Sequence, residues 1–330
     1  MTLFINDYSE GCHESILEAL TKTNREQTAG YGFDPYCEEA RELIRREIGC
    51  PEADVWFLSG GTQTNLIAAA AALRPHEAVM GAETCHLVVH ETGAIEATGH
   101  KVLVIPDPEG KVRPEGVLQV LREHAAAPHM VKPRMVYISQ STEVGTVYTK
   151  AELQALHRVC REHDLLLAPG NDATLQDVAE CCDFFYIGGT KNGAMMGEAM
   201  VILNPELKRD FLYIVKQRGG LFAKGRLLGL QFSTLFREGL YYRLARHANV
   251  QAMRIREGFA ALGVRFLVDS PTNQQFILLN EQQAAALQAR FGVDEQWRKD
   301  GDVCLRVCTS WATEPAAVDE LLAAMRQIMA

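Results

Sequence analysis

The stretch Asp183-Phe-Phe-Tyr-Ile-Gly-Gly-Thr-Lys191-Asn-Gly193 decides the reading of this 330-residue chain. Its apolar run, residues 184–187, reads as a buried strand, and two glycines then turn the chain before a threonine and a lysine. Residues 199–203, Ala-Met-Val-Ile-Leu, read as the next strand of the same sheet. A lysine at the exit of a buried strand is unusual, because burying an unpaired ammonium costs on the order of several kcal/mol. One way to commit it chemically is a Schiff base, in which the amine joins a carbonyl. A surface lysine in a Gly-rich turn is the plainer alternative.

Upstream, residues 54–58 read as a strand, followed by Ser59-Gly-Gly-Thr-Gln-Thr-Asn65 and an alanine-rich helix through Leu73. Strand, Gly-rich turn and helix start together point free backbone N–H groups at an anion. The chain has neither G-x-x-x-x-G-K-[ST] nor G-x-G-x-x-G here, so this is not a P-loop or a Rossmann fingerprint. A tight turn capped by Thr62 or Thr64 would need no ligand. Strands at residues 78–80, 102–105, 135–138 and from 165 alternate with helices at about 90–98, 114–124 and 149–162. The last of these opens on a capping box, Thr149-Lys-Ala-Glu152. Such alternation implies an α/β fold with a mostly parallel central sheet and ligands at the carboxyl ends of its strands. Gly61, Gln140 and Lys191 all fall just past strand ends.

Before this region lie an irregular start, helices at about residues 13–23 and 37–48, and the turn-rich loop Gly30-Tyr-Gly-Phe-Asp-Pro35 between them. After it come a long helical pattern over residues 227–262, strands at 275–279 and 303–308, a helix near 282–291 and a final helix from 313. The expected organisation is an N-terminal segment, residues 1–50, packing on a large domain, residues 51–235, with a smaller C-terminal α/β domain, residues 236–330.

A net charge of -9 argues against nucleic acid as a partner, since phosphate binding needs a basic surface. No basic segment precedes an apolar run at Met1, and no apolar stretch is long enough to span a bilayer, so a cytoplasmic, membrane-free protein is expected. The nine cysteines are scattered without a C-x-x-C pair and read as reduced thiols.

Two further sites carry charge in odd places. His86 and His90 stand at i and i+4, but their glutamate, Glu91, follows rather than separates them, so a zinc site is not expected; a stacking ring or proton carrier suits His86 better. Arg306 lies inside an apolar strand, either as partner of a structural carboxylate or as a bidentate clamp on a substrate carboxylate. Lys224 and Arg226 belong to a basic, glycine-rich loop before the long helix.

Taken together, Asn6-Asp-Tyr-Ser-Glu-Gly11, residues 30–35, 59–65 and 86–93, Tyr186-Ile-Gly-Gly-Thr-Lys191 and Leu305-Arg306 resemble the threonine aldolase branch of the fold-type I enzymes that use pyridoxal 5'-phosphate. The similarity runs along nearly the whole chain. It implies retro-aldol cleavage of threonine, allo-threonine or a related β-hydroxy-α-amino acid to glycine and an aldehyde, in a homodimer or homotetramer with shared sites. By the same resemblance, Lys191 forms the Schiff base, with Thr190 beside it contacting the cofactor. Gly61, Thr62 and Gln63 hold the phosphate, and His86 stacks on the ring near the reacting hydroxyl. Asn6 and Arg306 face the substrate carboxylate, and Lys224 or Arg226 reaches the neighbouring subunit's site. Other enzymes of the fold, β-eliminating lyases or aminotransferases, are the alternative.

One departure stands out. Members of the family carry a strand ending in D-G-A-R, whose aspartate pairs with the pyridinium nitrogen. Here Leu165-Leu-Leu-Ala-Pro-Gly-Asn-Asp172 runs straight into Ala173-Thr-Leu-Gln-Asp-Val178, which resembles the segment downstream of that motif. Roughly a dozen residues are missing against the family pattern. Asp172 is the nearest carboxylate, but it matches the later segment. A catalytically impaired or non-catalytic homologue is therefore a further alternative.

Overall fold

The computed structural model describes residues 1–168 and 174–330; Asp172, weighed above as a carboxylate, lies outside the described residues, as do residues 169–171 and 173. The strands are β1 (Thr2–Phe4), β2 (Asp54–Leu58), β3 (Glu77–Ala82), β4 (Val102–Ile105), β5 (Lys132–Tyr137) and β6 (Leu166–Ala168). They continue as β7 (Phe184–Gly188), β8 (Glu198–Ile202), β9 (Arg265–Phe266), β10 (Gln274–Asn280), β11 (Phe291–Lys299) and β12 (Asp302–Cys308).

The central sheet is laddered in two pieces. One is parallel, in the order β4-β3-β5-β6, and the other is antiparallel, in the order β2-β8-β7. β2 and β7 both run antiparallel to β8 and so share one direction; within this piece only β8 is reversed, consistent with the mostly parallel sheet expected. Among the described residues the two pieces meet where Asp183 N–H donates to the Leu167 carbonyl (3.1 Å) and Leu167 N–H to Asp183 Oδ2 (3.0 Å). β3 and β8 are buried along their whole length, as expected of strands covered on both faces.

Helices follow from local chemistry. The helix Lys150–Glu162 opens on the capping box expected at Thr149 and Glu152. The helix expected over residues 90–98 is instead a single turn, His86–Val89, followed by a 3-10 turn at Glu96–Thr98. Thr92 and Gly93 take positive φ between them (52° and 73°), which a continuous helix cannot accommodate. The long helix is also divided, into Arg226–Phe236 and Leu240–Ala261. Glu238 and Gly239 adopt left-handed conformations at the break.

The C-terminal sheet runs β1-β11-β12-β10-β9. Its β1 comes from the chain's first residues, pairing parallel with β11. The N-terminal segment therefore divides: Thr2–Phe4 joins the C-terminal sheet and buries Phe4 among Ile255, Leu305 and Leu321. Ile16 and Ile44, from the next two helices, pack on Val55, Phe185 and Val201 of the large sheet. β11 was not anticipated, because Asp294, Glu295, Arg298 and Lys299 mask its strand pattern. All nine cysteines are free and most are buried. Among the described residues no helix is long and apolar enough to cross a membrane.

Candidate active site

β2, β8 and β7 are paired so that Leu58, Glu198 and Gly188 lie side by side. The anion-type turn leaves β2 at this level and the lysine turn leaves β7. The helix Gly61–Ala72 begins without any side-chain cap: Gly60 is the N-cap, in extended conformation, and Thr62 is exposed. Its first N–H groups therefore keep their positive end free for a ligand. A Cβ at Gly60 would meet nothing within 4 Å, and one at Gly61 only the Tyr186 hydroxyl at 3.9 Å, so the space before the helix is open. Gln63 folds back on the turn, its Oε1 accepting from Ser59 N–H (3.1 Å) and Ser59 Oγ (2.8 Å). Its Nε2 donates to the Arg218 carbonyl (3.4 Å), and the buried Arg218 Nε has no partner.

The Lys191 side chain is 58 % exposed, so it reaches into an open cleft rather than the core. Asp7 Oδ1 lies 3.9 Å from its Nζ, and Tyr8 presents its ring 5.8 Å away. Partial burial works against the ammonium, but Asp7 and Glu143 outweigh it and raise its pKa above the ordinary lysine value. Asp7 is held in turn by Asn273 Nδ2 (3.0 Å).

His86 opens the single-turn helix and bonds through Nδ1 to Glu91 Oε1 (2.8 Å). Asn65 Nδ2 donates to the same oxygen (2.5 Å), while the buried Oε2 has no partner among the described residues. The hydrogen bond to Glu91 raises the His86 pKa against the opposing effect of burial, and His86 also feels Glu143 and Lys191. With Glu91 as a carboxylate, Nδ1 is the donor, and Nε2 keeps a lone pair. His90 stacks obliquely on His86 (5.5 Å) and approaches Glu143 (3.8 Å). Among the described residues no cluster of three or more His, Cys, Asp or Glu could hold a metal ion.

Arg306 is largely engaged inside the chain. Its guanidinium bonds Asp294 Oδ2 (2.8 Å), Gln274 Oε1 (3.2 Å) and the Ile5 carbonyl (3.2 Å), leaving Nε buried without a partner among the described residues. Asn6 Oδ1 accepts from Tyr8 N–H (3.0 Å) and Ser9 Oγ (2.9 Å), shaping the loop that carries Asp7 and Tyr8. Arg226 is bound to the Thr23 (2.9 Å) and Glu26 (3.0 Å) carbonyls of its own chain, whereas Lys224 is exposed. Lys191, Thr190 and His86 thus share one electrostatic neighbourhood, and Gly61–Gln63 form the mouth of the helix beside Tyr186.

Glu198, Glu91, Asp7 and Glu143 are the groups the sequence reading did not single out. Glu198 was visible in principle: a glutamate opening the apolar strand Glu198-Ala-Met-Val-Ile202 is as anomalous as Lys191 or Arg306.

Comparison with known proteins places this geometry. The family described as beta-eliminating lyase matches residues 7–282. The low specificity L-threonine aldolase of Pseudomonas sp. (strain NCIMB 10558) is 32% identical over 346 residues, covering 99% of this chain and 97% of that protein. That alignment is longer than the 330 residues of this chain, so the relative carries positions that this chain lacks. A solved threonine aldolase of Leishmania major superposes with a TM-score of 0.97 at 44% identity, covering 100% of both chains. A solved SPT with PLP shares the fold-type I architecture, with a TM-score of 0.70 at 15% identity over 99% of this chain and 86% of that one. The chain belongs to the beta-eliminating lyase family.

Proposed function

We propose that this chain is a pyridoxal-phosphate-dependent aldehyde-lyase that cleaves threonine-like β-hydroxy-α-amino acids to glycine and an aldehyde. The observation that carries the proposal is the grouping of Lys191, Asp7, His86 and Glu91 in a chain 44% identical, along its whole length, to a threonine aldolase.

The residues present fit the cofactor at two ends. The uncapped start of the helix Gly61–Ala72, with open space before Gly60, suits a phosphate, and Lys191 stands clear of the core for a carbonyl. The described part of β6, Leu166–Ala168, brings no carboxylate to the ring nitrogen. When bound, pyridoxal phosphate supplies an electron sink for the pair released as the Cα–Cβ bond breaks.

The chain's own residues do the rest. Lys191 must give up its proton to join a carbonyl, and Asp7 holds that proton at Nζ until the cofactor arrives. His86, its Nδ1 fixed by Glu91, offers Nε2 to take the proton of the β-hydroxyl; Glu91 makes the imidazole a stronger base. Arg306 would meet the substrate carboxylate by exchanging one of its bonds to Asp294, Gln274 or the Ile5 carbonyl, and Asn6 would shape the loop at the same end. The exposed Lys224 would extend toward a second subunit in a homodimer or homotetramer. A cytoplasmic location fits a chain without a membrane-spanning helix among its described residues.

The test is direct. The purified chain is mixed with pyridoxal phosphate, its visible absorption recorded, and the product reduced with borohydride and mapped. A visible band, label on Lys191 and glycine formation from L-threonine and L-allo-threonine are expected. No band and no label would sink the proposal.

A further inference from the structure

The buried carboxylate of Glu198 takes no part in the chemistry described so far, yet it is the most tightly placed acid near the lysine. Glu198 is 5 % exposed, at the start of β8 between Leu58 of β2 and Gly188 of β7. Its Oε1 accepts from the Thr190 hydroxyl (2.9 Å) and its Oε2 from Gly189 N–H (3.2 Å). Thr190 Oγ1 in turn accepts from Gly197 N–H (3.0 Å), closing a small ring around the turn. The Gly197 carbonyl receives both Gly189 N–H (2.9 Å) and Thr190 N–H (3.2 Å).

The paired glycines are part of the same device. A Cβ at Gly188 would stand 3.3 Å from Glu198 Oε2, and one at Gly189 would be 2.7 Å from the Gly197 carbonyl oxygen. At Gly189 only glycine fits against the Gly197 carbonyl, and at Gly188 a side chain would crowd the carboxylate. The charged and titratable groups facing Glu198 are Lys191 beyond the turn, Tyr186 on β7 and Tyr241 on the helix Leu240–Ala261. Tyr241 bonds the Gly188 carbonyl (2.9 Å), so the turn is gripped from both sides. Asp7, Glu143, Cys308 and Tyr8 face Lys191 itself.

We propose that Glu198 is a positioning residue for Lys191, acting through Gly189 and Thr190, the two residues that lead into the lysine. An acid placed only to fill the sheet would have no reason to bind both residues immediately before the reactive amine. The inference rests on the reading of Lys191 as the cofactor's attachment point. Burial pushes the Glu198 carboxyl up to about 7, while Thr190, Gly189 and Lys191 pull it back, so its charge and the lysine's depend on one another.

The experiment uses the full cofactor-free chain. The rate at which acetic anhydride acylates Lys191 is followed against pH by peptide mass spectrometry, for the wild type, Glu198→Gln, Thr190→Val and Thr190→Ser, with circular dichroism to check folding. Glu198→Gln removes the negative charge, and Thr190→Val removes the hydroxyl that ties the carboxylate to the lysine turn, so that the turn no longer holds Lys191 against that charge. Both are expected to shift the Lys191 midpoint to lower pH and to speed labelling below it by about threefold or more. Thr190→Ser keeps the hydroxyl and is expected to label like the wild type. An unshifted midpoint in folded Glu198→Gln overturns the proposal; if that variant does not fold, an unshifted midpoint in Thr190→Val does so. Adding pyridoxal phosphate to the wild type separates the two readings. No visible band there, with the midpoint shifts intact, refutes the cofactor assignment alone; a normal band with unshifted midpoints refutes the role of Glu198 alone.

Discussion

The two pieces of the central sheet are built on different principles. In the antiparallel piece, β2, β7 and β8 are each five residues long and pair along their whole length. β7 and β8 are joined by the lysine turn itself, so the strands that hold Lys191 and Glu198 are close in sequence and meet cheaply in entropy. In the parallel piece, β5 has six residues, its neighbour β6 has three among the described residues, and no ladder between β6 and β7 is formed by the described residues. A cavity lined by Asn65, Tyr137, Ala168, Phe184 and Tyr186 lies where the two pieces would otherwise join. The lysine's platform is complete, while the chain past β6 is roughly a dozen residues short of the family pattern.

The largest expected effect tests the complete side. Lys191→Ala should abolish both the visible band with pyridoxal phosphate and borohydride labelling, with glycine formation falling by about a thousandfold or more. Retained turnover would mean that chemistry does not pass through this turn. The next test addresses the short side. Inserting the D-G-A-R segment of a threonine aldolase relative after Ala168 should raise turnover by about a hundredfold, because a carboxylate at the ring nitrogen strengthens the electron sink. A folded insertion mutant with unchanged kcat breaks the contrast between the two pieces.

Glu198 gives a smaller, purely thermodynamic test. In the unfolded chain its carboxyl keeps the ordinary glutamate value of 4.5, while burial in the fold pushes it up to about 7. Between these values the folded chain binds more protons, so this group's contribution is fully present at low pH and is lost as pH rises through about 7. The full swing is about 3 kcal/mol. Urea unfolding at about pH 5 and about pH 8 should show Glu198→Gln gaining on the wild type at the higher pH; a constant difference at both would contradict a buried, half-ionised Glu198.

Much of this arrangement was legible in the sequence, for physical reasons that differ by element. β2 and β4 were placed to the residue because apolar runs bounded by turn chemistry leave little choice. The capping box at Thr149 was equally plain, since its two hydrogen bonds are encoded three residues apart. Lys191 stood out because a charge leaving a buried strand demands an explanation. Other features could not be read locally. β1 reaches its partner β11 from the far end of the chain, and nothing in Thr2–Phe4 names that partner. The breaks at Thr92 and Glu238 rest on left-handed residues that tertiary contacts impose. Arg306 keeps both readings with Asp294 against it, and Asp294 itself belongs to a strand hidden by its own charges.

The smallest effect concerns the acid behind the histidine. Glu91→Gln preserves the shape of the side chain and an oxygen for Asn65, but withdraws the negative charge from His86 Nδ1. The His86 pKa, now raised chiefly by that bond, should fall. A histidine acting as base works only when neutral, so the rising limb of the kcat profile should move to lower pH. The imidazole would also be a weaker base, and the plateau should drop by about tenfold. The two changes have opposite consequences at acidic pH, where earlier deprotonation partly offsets lost basicity, and the variant should come closest to the wild type there. Histidine titration by NMR in the cofactor-free protein gives the same pKa without relying on turnover. If the His86 pKa falls while the pH–rate profile stays in place, another group or an ordered water takes the hydroxyl proton, and the complete side of the site lies in Lys191 and its turn alone.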